Sequence, residues 1–259
     1  MGWEWAFYLF GVIGIIWFFF WNKNVTSYPR DHKKISSEEL SYIEDNAPAS
    51  EAITQIPLSK LLSNLPFIAI IVATFANNWS LLVFLSFLPK FVDNELGVDL
   101  SSGSFLVLII IPSIVSVIAL NLGGYIADTL IKKGYKVIKV RKSANSIGFF
   151  GSAACLFTIP FLNDVYTIIG LICMTNIFTG AAAGGFGVNH ADLGPKSTGT
   201  LVGIASTLGT AAGVLGNIIS GIVLDLTQSW TLVFFIAAGL LVFGGIFYLL
   251  FASDKKQFD

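Results

Sequence analysis

Ser104 to Lys142 reads SFLVLIIIPSIVSVIALNLGGYIADTLIKKGYKVIKVRK. From Ser104 through Ala127 it holds no Asp, Glu, Lys or Arg, and Asp128 is then followed by Lys132, Lys133, Lys136, Lys139, Arg141 and Lys142. About 20 apolar residues carry one helix across the hydrocarbon of a bilayer, and a basic cluster directly after such a run marks the cytoplasmic side. The stretch therefore predicts one span that leaves the membrane on its cytoplasmic face at Asp128.

Six further runs of comparable length surround it, so that apolar stretches lie at 3–21, 65–89, 104–127, 144–162, 165–188, 199–224 and 231–251. The chain is 54% hydrophobic and 12% charged with a mean hydropathy of +0.77, whereas a soluble domain carries about 25% charged residues. Lipid, not water, is the expected solvent. The net charge of -1 makes no case for nucleic-acid binding. Threading the seven runs through a bilayer puts segments 22–64, 128–143, 189–198 and 252–259 on one side, with every Lys and Arg except Lys90. That side is expected to be cytoplasmic, which places the amino terminus outside and the carboxy terminus inside. The first run has no basic segment before it and no small-residue cleavage site after it, and so reads as a retained span and not as a signal peptide. Cys155 and Cys173 both sit in apolar runs, with no disulfide framework, no metal-ligand spacing and no cofactor motif.

Four regions follow: a lone span at 1–21, a long cytoplasmic loop at 22–64, a block of six spans at 65–252 and a short cytoplasmic tail at 253–259. Within the loop Ser36 and Glu39 have capping-box spacing, and Ile35, Leu40 and Ile43 fall on one face of a short surface helix. Beyond Pro48 and Pro57, Leu58, Leu61 and Leu62 lie along the membrane surface. The expected fold is all-α and polytopic, the six-span block being a bundle of two inverted three-helix repeats, as in many transporter halves.

Four groups of residues carry possible chemistry. Gly124 and Asp128, followed by Arg141 and Lys142, allow close helix approach and a carboxylate at the membrane boundary: a conformational latch, or an ordinary solvated carboxylate beside a topogenic loop. Ala205, Gly209, Gly213, Asn217 and Gly221 recur every four residues and read as a packing stripe in which Asn217 needs a partner or a wet cavity. Asn77 and Asn78 near mid-span either line a pathway or bond between helices; Asn176, Thr179, Ser206 and Thr210 are weaker candidates of that kind. Asn189, His190 and Asp192 follow a glycine-rich helix end, where His190 is either a gate or proton relay, or a satisfied loop histidine. The sequons at Asn24 and Asn78 fall on the cytoplasmic face and in the membrane, so neither is expected to be modified.

Tyr28, Pro29, Arg30, Asp31 and His32, with Ile35, Ser36, Glu38, Glu39, Tyr42, Ile43 and Glu44, resemble the central loop of the anion:cation symporters, solute carrier family 17, of the major facilitator superfamily. The resemblance continues through Asn78 and Trp79, Gly124 to Asp128, Arg141 and Lys142, Asn189, His190, Asp192 and Pro195, Gly203 and Ile204, and Phe251 and Ala252. It implies cation-coupled (H+ or Na+) movement of a small organic or inorganic anion by alternating access. This chain would correspond to the sixth span onward, with the amino-terminal half as its expected partner. Asn77 stands where vesicular glutamate carriers have a positive residue, Ser206 and Asn217 where relatives have Asn and Pro, and Ile131 where Arg is common. Ala191 and Gly194 also depart from the pattern. Glutamate transport is not favoured on that basis. The resemblance implies a plasma, lysosomal or vesicular membrane.

An enzymatic role has no support from nucleophile or phosphate-loop motifs. A seven-helix receptor is the rival reading, although no external cysteine supports it, and a channel would need a filter-like loop that the sequence lacks.

Overall fold

A computed structural model describes residues 2, 4–46, 56–97 and 103–258, with the side chains at 96 and 103–109 outside the description. Two compact units divide at Ala52 and Ile53. Pro48 falls outside the described residues.

The first unit holds helix α1 (Glu4–Asn24) and helix α2 (Ser37–Asn46). No residue of α1 is buried within the chain, and its aromatic side chains stack along its own surface, Trp17 on Phe20 at 5.7 Å. A helix apolar all round belongs in lipid or against other helices. In α2 the backbone N–H of Glu39 donates to Ser36 Oγ at 3.1 Å, which is one half of the capping box. Arg30 pairs with Glu44 at 3.5 Å across the turn before it.

The second unit contains α3 (Leu58–Leu62), α4 (Leu65–Leu96), α5 (Gly103–Lys132), α6 (Val137–Thr158), α7 (Val165–Ala182), α8 (Asn189–Leu193), α9 (Thr198–Thr227) and α10 (Trp230–Phe251). With α1, seven helices among the described residues are long and apolar enough to cross a membrane. Their ends differ from the hydropathy runs. Charge stops a hydropathy window but not a helix, so α5 continues to Lys132 and α6 already begins at Val137, inside the basic stretch. The start of α6 is fixed from far away, because Asp254 Oδ2 accepts from Ile138 N at 3.1 Å. Beyond Pro89, α4 continues to Leu96 and stops at Gly97, whose φ of 61° closes the helix in the left-handed conformation.

Neighbouring helices pack in the order α5, α7, α6, α10, α4, α9. Exchanging α4 with α7, α5 with α9 and α6 with α10 maps this order onto itself, and each exchanged pair runs in opposite directions. Two inverted three-helix repeats are therefore present, with α5 and α9 at the free ends of an arc.

The α4 and α9 faces meet over small residues. A Cβ at Gly209 would lie 2.6 Å from Thr74 Cγ2, one at Gly213 would overlap Leu82, and one at Gly216 would lie 2.8 Å from Val83 Cγ2. The stripe differs from the four-residue reading because each step of four advances 40° around a helix of 3.6 residues per turn. Accordingly Gly221 has rotated into open space, and Gly216 and Ser220 carry the contact instead.

The strand of chain after α10 is no loose tail. Gln257 N donates to Leu193 O at 2.7 Å, Ser197 Oγ to Phe258 O at 3.0 Å and Asn64 Nδ2 to Gln257 Oε1 at 3.1 Å. Phe258 is 4% exposed and meets Phe67 edge-on. Phe258→Ala is expected to cost about 3–5 kcal/mol, the range for truncating a buried aromatic; reversible unfolding in detergent measures it, and a loss below about 1 kcal/mol would show that the strap is not seated.

Asp164 caps α7, accepting from Thr167 N at 2.8 Å and Thr167 Oγ1 at 2.6 Å. Those bonds, the hydroxyl first, hold its carboxyl below the ordinary carboxylate range. The sign follows: the cap is present above the ordinary carboxylate pKa and is lost as pH falls through the lowered one. The protection of the Thr167 amide relative to its intrinsic exchange rate is expected to fall only as pH drops below the ordinary carboxylate range, and Asp164→Ala should lower that protection at every pH.

Candidate functional site

Arg141 lies in the second turn of α6 and is 7% exposed, although the hydropathy reading places it in a basic loop. Its guanidinium donates from Nε to Asp192 Oδ2 at 2.9 Å, from Nη2 to Asp192 Oδ1 at 3.4 Å and from Nη1 to Gly184 O at 3.0 Å. Both side chains are withdrawn from solvent, at 8% and 18%. Asn189 Nδ2 donates to Asp192 Oδ2 and to Ser253 O, each at 3.0 Å, and Tyr248 Oη donates to Asn189 Oδ1 at 3.0 Å. One cluster thus ties α6, α8, α10 and the strap.

The local sequence explains the geometry. Ala183–Gly187 forms a π-helical turn between α7 and α8, whose wider ring leaves α-type hydrogen bonds unmade; the Gly184 carbonyl is taken by Arg141. A Cβ at Gly185 would lie 2.8 Å from Arg141 O, so α6 reaches this turn only because glycine stands there. Every charged atom of the pair meets a hydrogen-bonding partner, the condition under which a buried ion pair is tolerated. Moving α8 away from α6 would part the pair and expose both charges together.

The other expected latch residues are placed differently. Asp128 is exposed and makes no ion pair among the described residues, and Lys142 is half-buried outside the cluster. Gly124 faces open space; the close approach belongs to Gly123, where a Cβ would overlap Gly180 O of α7. One residue is 100° of helix phase, and that phase turns Gly124 and Asp128 outward. Asn189 and His190 are 0% and 6% exposed, within α8 and not in an open loop. Asn145, one turn along α6 from Arg141, was not anticipated: it is fully buried and neither amide atom has a partner. An amide four residues from an arginine was its only sequence signal.

The polar residues expected along a pathway are not gathered into one site. Asn77 Nδ2 lies 3.5 Å from Asn78 Oδ1, and both are half-buried, with Asn78 beside Gly209 of α9. Asn176 Nδ2 donates to Pro112 O at 3.0 Å, joining α7 to α5, while Ser152 Oγ meets Thr179 Oγ1 at 3.3 Å. Asn217 Oδ1 is buried without a partner. Ser206 and Thr210 face outward on α9, Thr210 Oγ1 donating to Ser206 O at 2.9 Å.

A family model for the Major Facilitator Superfamily matches residues 1–140, more than half of the chain. The chain belongs to the Major Facilitator Superfamily. Among curated members, it is 35% identical to the chloroplastic ascorbate transporter of Arabidopsis thaliana over 261 residues, covering 100% of this chain and 47% of that protein. It is 33% identical to the chloroplastic sodium-dependent phosphate transport protein 1 of the same plant, covering 100% of this chain and 50% of that one. Sialin of Homo sapiens is 33% identical over 99% of this chain and 52% of its own length. The chain spans about half the length of the curated relatives it matches, and these relatives agree with the resemblance to anion:cation symporters carried by the loop and helix-end motifs. The superfamily and its transporter-named members point to a non-enzymatic, integral multi-pass membrane protein.

Proposed function

We propose that this chain forms part of a secondary active transporter for organic or inorganic anions, coupled to H+ or Na+ and working by alternating access, and that it transports only with a second helical block. The open arc carries this reading. Its free ends, α5 and α9, leave Asn121, Ser206, Thr207 and Thr210 exposed on faces otherwise lined by Ile114, Val117, Ile118, Val214 and Ile218. Polar groups at membrane depth belong against protein or a wet cavity, not against lipid. A second block across α5 and α9 supplies both.

Charge supports the same conclusion. An anion in a low-dielectric pathway needs a fixed positive partner, yet the basic residues of these six spans lie near helix ends, and Arg141 is already committed to Asp192. The partner block is expected to bring the missing cation and any proton-carrying group. Relatives named for the transport of ascorbate and of phosphate support an anion as cargo. The basic end is assigned to the cytoplasm, with the amino terminus outside and the carboxy terminus inside, in a plasma, lysosomal or vesicular membrane. Superfamily membership does not favour the seven-helix receptor reading.

Proteoliposomes holding this chain alone are expected to show no saturable, gradient-driven uptake of phosphate, ascorbate or sialate. Supplying the remaining spans of a full-length relative in the same membrane should produce it. Saturable uptake by the chain alone, or none in the assembled pair, would overturn the proposal.

A further inference from the structure

Three consecutive residues of the π turn each meet one turn of α6. Arg141 Nη1 donates to Gly184 O at 3.0 Å, a Cβ at Gly185 would lie 2.8 Å from Asn145 N and 2.9 Å from Asn145 Cβ, and the Phe186 ring meets that of Phe149 at 5.6 Å. Arg141, Asn145 and Phe149 are spaced by four and so share one face of α6. The first contact belongs to a satisfied ion pair and the third is a pair of aromatic rings. The middle one is different in kind. Asn145 is 0% exposed, and neither its Nδ2 nor its Oδ1 has a hydrogen-bonding partner among the described residues.

A carboxamide offers two donors and an acceptor with two lone pairs, and sealing it away unbonded raises the free energy of the state that seals it. Ser152, two turns further along α6, shows the usual outcome for a buried polar group: its hydroxyl donates to Thr175 O at 3.2 Å and lies 3.3 Å from Thr179 Oγ1. At Asn145 the same contacts that hold the turn on α6 also close the amide off. Parting the turn and α8 from α6 would break the Arg141–Asp192 pair and the ring contact, which opposes the motion, and would let water or the backbone of the turn reach Asn145, which favours it.

We propose that Asn145 biases this contact toward opening: its amide is left unbonded while the π turn and α8 are packed on α6 and gains partners when they part. The packed arrangement then lies only a little below the parted one. Arg141 with Asp192, and Phe149 with Phe186, hold the turn in place, and the buried amide works against them. The inference concerns a motion of this chain by itself and stands whether or not an assembled protein carries anions.

The test is hydrogen exchange of the whole chain in detergent, read by mass spectrometry over residues 184–193, for the unchanged chain, Asn145→Ala and Asn145→Thr. Alanine removes the unbonded atoms. Threonine keeps nearly the same volume and brings a hydroxyl that donates to the carbonyl four residues back, as Thr175 Oγ1 does to Leu171 O at 2.9 Å. In the unchanged chain this segment should open by itself and exchange faster than the α4–α9 core. Exchange over 184–193 is expected to slow about fivefold or more in Asn145→Thr, the lower end of what a buried unbonded amide costs. Asn145→Ala should slow it less, because lost packing acts the other way. Ser152→Ala removes a hydroxyl that is already bonded and should not slow it. Unchanged or faster exchange in both Asn145 variants would mean that the amide already has partners in the packed state or gains none on opening, and would overturn the proposal. Exchange of the segment no faster than that of the core, or an equal slowing in Ser152→Ala, would overturn it too.

Discussion

Arg141→Ala is expected to destabilise the six-helix unit by about 3–5 kcal/mol, because it leaves Asp192 buried and charged without its partner. The loss extends past the ion pair. Gly184 O in the π turn loses its donor, and Asn189 is left as the main hydrogen-bonding support of the carboxylate. Asp192→Asn should cost less, since a neutral amide in the same place still accepts from the guanidinium. The double variant Arg141→Ala with Asp192→Asn is expected to recover part of the single-variant loss, giving a coupling energy above about 1 kcal/mol in a double-mutant cycle. Unfolding in mixed detergent measures all four proteins. Additive losses would mean that the two side chains do not act as one unit.

The second large effect separates two adjacent glycines. Gly180→Ala would place a Cβ 2.6 Å from both Ala119 Cβ and Ala119 O, and Gly123→Ala would drive one into Gly180 O. Backbone cannot yield as a flexible side chain does, so each is expected to cost at least about 2–3 kcal/mol, the upper part of the range for overpacking. Gly124→Ala meets nothing within 4 Å, and should be neutral or slightly stabilising through helix propensity, by a few tenths up to about 1 kcal/mol. The measurement is the folded yield and unfolding midpoint of the three variants. If Gly124→Ala were the damaging one, the phase of α5 against α7 would be wrong.

The number and order of the spans were legible because lipid imposes a simple rule: a stretch that crosses hydrocarbon cannot carry unpaired charge. The same rule misplaces helix ends. Lys132 belongs to α5, and Lys139, Arg141 and Lys142 to α6, since a helix runs past the membrane boundary wherever something caps it, and for α6 that cap is Asp254, 116 residues away. Arg141, Asn189 and Asp192 were all legible as residues of interest, but their mutual contact was not. It joins positions 51 apart through a π turn whose register no periodicity predicts. Gly123 and Gly124 differ only in helix phase, which a single sequence leaves free. The four-residue stripe on α9 looked straight in sequence and drifts in space, so Gly216 takes the place expected for Gly221.

The central claim is that six helices form two inverted repeats with all basic loops at one end. Single cysteines placed by Lys136→Cys, Lys196→Cys, Asp164→Cys and Gln228→Cys, in a chain whose Cys155 and Cys173 are replaced by alanine, test it most directly with a membrane-impermeant thiol reagent. The first two should react only from the cytoplasmic side of sealed vesicles and the last two only from the other. Lys136→Cys and Lys196→Cys reacting from opposite sides would contradict the repeat, the shared basic end and the transporter built on them.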